Sequence, residues 1–156
     1  MSEPNLNHST FVVERTYPQT PARVFASFAE AGRKRRWYAE GDHEIQEYDL
    51  DFRVGGGERF RYRFKPGHPI AGSEIDNEAV YQDIVPEQRI VLTQKMSLNG
   101  NPVSVAVITL EFLGADGGTE LVLTNQGTYV GWPDGAKMVE MGWNTLLDRL
   151  RGDVAA

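Results

Sequence analysis

The stretch that most constrains the fold is the last periodic one, "MGWNTLLDRL", Met141 to Leu150. Val139, Trp143, Leu146, Leu147 and Leu150 recur at i, i+4, i+7, i+8 and i+11, which draws one apolar stripe along a helix. Asp134, after "GWP", is placed to cap its start, and Gly152 to stop it. A one-sided helix needs a surface to bury its stripe, and the segments before it alternate with a period of two, as strands do. An all-β sandwich does not end this way. From Gly135 to Leu150 the helix spans roughly 24 Å, enough to cross about five strands. The pair Gly142–Trp143 is read as a packing device: a residue without Cβ lets the helix approach the sheet, and the indole fills the gap beside it.

The earlier segments supply that sheet. "STFVVERTY" (Ser9 to Tyr17) is β-branched and aromatic and reads as a strand ended by Pro18. A helix follows, with Thr20 as N-cap, Pro21 in its first turn, and Val24, Phe25 and Phe28 at helical spacing. Gly32 ends it, and "RKRRWYA" adds a short helical turn. His43 to Phe52 is a strand, and Val54 to Gly57 a turn in which three glycines permit positive φ. "ERFRYRFK" (Glu58 to Lys65) alternates strictly, with Phe60, Tyr62 and Phe64 on one face and Arg59, Arg61 and Arg63 on the other. Strands at Glu74 to Val85, Arg89 to Met96, Val103 to Leu113 and Thr119 to Gly127 follow, joined by the turns "PEQ", "LNGNP" and "GADGG". The class is α+β: a curved antiparallel sheet of six to seven strands around a long C-terminal helix, with one or two short helices after the first strand.

Bulk properties narrow the function. A chain of 156 residues fits one domain. The net charge of −6 argues against nucleic-acid binding, which needs a basic face. No apolar run is long enough to span a membrane, and "MSEPNLNHST" lacks the regions of a signal peptide. There is no cysteine, hence no disulfide or thiolate chemistry, and a cytoplasmic location is expected. The basic cluster Arg33 to Arg36 reads first as a solvated helix face.

Four stretches, in order, resemble a known family. "VVERTYPQTPARVFASFAE" is similar to its first strand and "P…VF" helix, and "DLDFRVGGGERFRYRF" to its "D.R.GG.f.f" segment through Asp51, Arg53, Gly55, Gly56, Phe60 and Tyr62. "VYQDIVPEQRIVLT" resembles its "Y.eI.P.erlv.t" segment, and "MGWNTLLDRL" its terminal "GW…L..L" signature. The family is the START/Bet v 1-like (SRPBCC) superfamily, in the branch resembling the C-terminal domain of the activator of Hsp90 ATPase. The resemblance implies a helix-grip fold, with residues 1–8 loosely ordered, 9–152 the domain and 153–156 a tail. Family patterns often carry a His shortly before Gly-Trp; this chain reads "KMVEMGW". Relatives include lipid and hormone binders, cyclases and oxygenase domains, so the fold does not dictate the function.

Sites of known chemistry are largely missing. The three histidines, His8, His43 and His68, have no metal-ligand spacing, and there is no nucleophile elbow, P-loop or dinucleotide fingerprint. Asp49 and Asp51 share a face near a strand end, in solvent. No catalytic residue, metal or cofactor is assigned. What remains is a concave apolar site with scattered polar groups. Alternation offers Phe60, Tyr62, Phe64, Tyr81, Leu92, Gln94 and Met96 from the sheet as lining residues. Met138 and Trp143 would come from the lid helix, and Trp37 and Tyr38 would form a mouth. The amides of Asn77, Gln94, Asn125 and Gln126 interrupt strand patterns, and any that faces inward needs a partner. The expected function is binding of a small apolar or amphipathic molecule between sheet and helix. A co-chaperone-like module using the Arg33–Arg36 cluster, and a cavity enzyme of cyclase or hydrolase type, are the alternatives. Either a monomer or a homodimer fits.

Overall fold

The computed structural model describes residues 5–156. Seven antiparallel strands form one sheet in the order β1-β7-β6-β5-β4-β3-β2. The strands are β1 (Leu6–Tyr17), β2 (Glu44–Leu50), β3 (Gly57–Arg63), β4 (Glu74–Val85), β5 (Arg89–Leu98), β6 (Asn101–Ala115) and β7 (Gly118–Val130). Between β1 and β2 lie α1 (Pro21–Ala29), α2 (Ala31–Lys34) and a π-helical turn, Arg35–Ala39. The chain closes with α3 (Gly135–Val154).

Local chemistry accounts for the joints. Asn99 and Gly100 both have positive φ, as do Asp116 and Gly117, which is the geometry of two-residue hairpin turns that match strand twist. The Thr20 hydroxyl accepts the Arg23 amide at 3.3 Å, and Pro21 opens α1. Asp134 occupies the N-cap position of α3, but its side chain makes no capping bond.

Trp143, Leu147, Leu150 and Val154 are buried on α3, with Val139 and Leu146 packed partly against the same core. Tyr17 donates to the Leu147 carbonyl at 2.8 Å and pins the helix to the end of β1. The helix rests on β1 and on the Arg35–Ala39 turn rather than on β3 to β5, so side chains, not backbone, bridge it to the central strands. On the outer face, Arg59, Arg61 and Arg63 pair with Asp76, Glu47 and Glu74.

Three expectations are corrected. The first strand begins at Leu6, not Ser9, because β7 is long enough to pair Leu6 with Val130; residues 1–4 of the segment expected to be loose lie outside the described residues. The C-terminal stretch is not frayed: α3 runs through Gly152 to Val154. Asp153 is buried, accepts the Ser27 hydroxyl at 2.6 Å, and its carbonyl accepts Arg23 at 2.5 Å. Tertiary anchoring there overrides the low helix propensity of glycine. Finally, Gly142 is exposed, and a Cβ built on it meets nothing within 4 Å. It lies about 100° around the helix from Trp143 and admits no close approach; nothing in the structure explains the glycine. Close approach occurs instead at Gly135, where a Cβ would lie 2.6 Å from Tyr129 and 2.8 Å from Trp132.

Candidate functional site

Register places Ala79, Ala106 and Gly127 in one row across the inner face of the sheet, interleaved with Glu58 and Gln94. Glu58 on β3 pairs with Ala79, Ala79 with Gln94, Gln94 with Ala106, and Ala106 with Gly127. The next row carries Tyr81, Leu92, Ile108 and Asn125. The short side chains of the first row, next to the long ones of the neighbouring row, leave a hollow that Glu58, Gln94 and Trp143 border.

The enclosed part of that hollow is a cavity of about 10 Å³. Its apolar wall is Phe28, Ile90, Leu92, Leu110 and Trp143, and its polar wall is Lys34, Tyr38, Glu58, Tyr81 and Gln94. A volume of this size accommodates one water-sized group, far below the ~150 Å³ of an engineered cavity that takes benzene.

The polar wall is organised around Glu58. Its Oε1 accepts Lys34 Nζ at 2.9 Å and the Tyr81 hydroxyl at 2.9 Å, and its Oε2 accepts the Tyr48 hydroxyl at 2.6 Å. The side chains of Lys34 and Glu58 are 5% and 4% exposed. Lys34 Nζ also lies 4.5 Å from the centroid of the Tyr38 ring, a cation–π contact. The Tyr38 hydroxyl accepts Gln94 Nε2 at 3.3 Å. Burial, and then the charge of Glu58, push the Tyr38, Tyr48 and Tyr81 phenols well above the usual tyrosine range. Burial pushes Tyr62 up to about 12. These phenols are therefore neutral hydrogen-bonding groups across the physiological range.

Of the residues picked from alternation, Tyr38, Tyr81, Leu92, Gln94 and Trp143 border the cavity. Phe60 is buried against Tyr38, centroids 5.6 Å apart, but outside the cavity wall. Tyr62 and Met96 are half-buried, also outside that wall. Three placements are corrected. Phe64 lies beyond the end of β3 and stacks on His68 at 4.3 Å. Met138 is 50% exposed, off the buried stripe of α3. Trp37 is no mouth residue: it is 2% exposed and donates Nε1–H to the Ser27 carbonyl at 2.8 Å. Among the amides, Asn77 and Asn125 are buried, each with an Oδ1 that has no partner among the described residues, whereas Gln126 is exposed.

Glu58 and Lys34 were missed by sequence reasoning. Glu58 was legible, since it shares the parity of Phe60 and Tyr62. Lys34 was not, because only the phase of a four-residue helix singles it out of "RKRR". The basic cluster is not a uniform solvated face: Lys34 is internal, and Arg33, Arg35 and Arg36 pair with Glu30, Glu40 and Asp153. Asp49 is exposed, and Asp51 is exposed and bonded to Arg53. No cluster of potential metal ligands occurs among the described residues.

A curved sheet closed by one C-terminal helix, with an enclosed interior between them, defines a helix-grip protein of the START-like class. The chain belongs to the family described as "Activator of Hsp90 ATPase homolog 1-like protein", which it matches over residues 18–154. It is similar to the Mll3558 protein of Rhizobium loti, at 42% identity and a TM-score of 0.86, covering 95% of this chain and 98% of that one. An uncharacterised protein of Rhizobium leguminosarum is 32% identical, with a TM-score of 0.87 and 96% of each chain covered. Protein CV1439 of Chromobacterium violaceum shares the fold at 21% identity and a TM-score of 0.79, over 94% of this chain and 97% of that one. No curated protein matches the chain. No helix among the described residues is long and apolar enough to cross a membrane.

Proposed function

We propose that the protein binds a small amphipathic molecule in its interior, with the polar end of the ligand at Lys34 and Glu58 and its apolar body beneath Trp143. The observation that carries this reading is the ion pair at the cavity wall. Two buried charges are a poor stabilising device, since well-packed apolar residues of similar volume commonly do as well or better. They are useful where an enclosed site has to recognise something polar. The setting we assign is cytoplasmic.

The cavity as it stands takes one water-sized group, so the ligand body requires Trp143 to move away from Tyr38, which stays on Gln94 and Lys34. Their rings lie 6.1 Å apart and bridge the turn at Arg35–Ala39 to α3. Because α3 does not pack its backbone on β3 to β5, rotation of the indole opens space without breaking the sheet.

Native mass spectrometry of the protein purified from its own host tests the proposal. A retained small molecule, released on denaturation, is the expected result; only the bare chain mass, from gently handled material, counts against it. A chaperone partner, the alternative that the family description suggests, would have to compete at the Arg33–Arg36 cluster with Glu30, Glu40 and Asp153, which already pair with its three arginines, while Lys34 is buried on Glu58.

A further inference from the structure

The hydrogen-bonding capacity left over at the cavity wall is unequal in kind. Glu58 is nearly saturated, with three donors on its two oxygens. An ammonium has three N–H donors, and among the described residues Lys34 spends one, on Glu58. The Tyr38 hydroxyl accepts from Gln94 and has its own proton to give. Burial keeps that proton in place. The remaining N–H groups of Lys34, beside the face of the Tyr38 ring, and the Tyr38 hydroxyl proton thus have no oxygen acceptor among the described residues, and both residues line the same 10 Å³ of space, where the acceptors left over are the Gln94 carbonyl and the tyrosine oxygens.

Charge narrows the choice. Lys34 is already neutralised by Glu58 at 2.9 Å. A second anion would leave a net negative charge in a desolvated site, which is costly. A hydroxyl could accept from both donors, but its own proton would then need a further acceptor, a demand that a carbonyl oxygen does not make. An sp² oxygen can take two hydrogen bonds in its own plane and carries no charge.

We infer that the polar end of the ligand is an uncharged carbonyl oxygen, that of a ketone, aldehyde, ester or amide, seated between Lys34 Nζ and the Tyr38 hydroxyl with an apolar ring or chain behind it. This rests on the interior-binding reading above and adds to it the chemical class of the ligand.

Three probes of one skeleton test it: acetophenone, ethylbenzene and benzoate, titrated into the full chain by calorimetry. Acetophenone is expected to bind at least about tenfold more tightly than either of the others, the worth of a hydrogen bond from a charged donor. Its carbonyl carbon, ¹³C-labelled, should shift downfield on binding. Tyr38→Phe should narrow the acetophenone preference severalfold. Lys34→Met combined with Glu58→Gln, which avoids stranding a buried carboxylate, should abolish it. If circular dichroism shows that the double variant fails to fold, Tyr38→Phe and the ¹³C shift decide. Equal binding of ethylbenzene, preference for benzoate, or an unshifted carbonyl overturns the inference and leaves the interior site standing. Binding of none of the three overturns both.

Discussion

Lys34 Nζ and Glu58 Oε1 lie 2.9 Å apart inside a wall of aromatic rings, joining the end of α2 to the start of β3. The Tyr48 and Tyr81 hydroxyls complete the shell of Glu58. The proposed function is built around this pair, and it has a direct energetic consequence. Lys34→Met alone should lower stability by about 3–5 kcal/mol in urea unfolding, because it strands a buried charge. Lys34→Met with Glu58→Gln, whose amide oxygen still accepts a tyrosine hydroxyl, should recover part of that loss. Additive losses in the double variant would contradict this account of the pair.

Trp143 is the ring that closes the cavity. Truncating it should cost about 3–5 kcal/mol. Trp143→Ala should also create a void large enough for an aromatic ring, and added indole should then raise the Tm of the variant in a thermal melt by more than it raises that of the native chain.

The glycines of α3 are predicted to behave oppositely. Gly142→Ala meets no neighbour and sits in an exposed helix interior, so it should stabilise by about 0.5–1 kcal/mol. Gly135→Ala drives a Cβ into the Tyr129 and Trp132 rings, at 2.6 and 2.8 Å, and should destabilise by about 1–3 kcal/mol. Chemical denaturation of the two variants checks both signs.

Tyr38, Tyr48, Tyr62 and Tyr81 have folded-state pKa values above the ordinary value of 10. A raised folded pKa gives stability that is fully present below the unfolded value and is lost as pH climbs through it. Stability should therefore hold up to about pH 10 and fall steeply on approach to pH 12. Absorbance at the phenolate band should rise together with loss of circular dichroism rather than before it.

Much of the architecture was legible because it is written in periodicity. The stripe Val139–Trp143–Leu147–Leu150 fixed the helix, the alternation through Phe60 and Tyr62 fixed an inner face, and Asn99–Gly100 and Asp116–Gly117 fixed two turns. The helix end was not legible, since Asp153 is held by Ser27 and Arg23, more than a hundred residues away. The site was half legible. Parity puts Tyr81, Leu92 and Gln94 on the inner face, but it does not say that Phe64 leaves the sheet, while the exposure of Met138 follows from its place off the helix stripe. It is silent on Lys34, whose burial is decided by a carboxylate on another element.

The central claim is that the interior beside Lys34 and beneath Trp143 receives a ligand, and the three tryptophans supply the most direct measurement. Each indole N–H gives one resonance in a ¹H–¹⁵N spectrum. With acetophenone added, the account predicts that the Trp143 signal shifts most, while that of Trp132, packed on Tyr129 away from the cavity, stays fixed. A spectrum in which Trp143 does not move, or in which only Trp132 does, would contradict it.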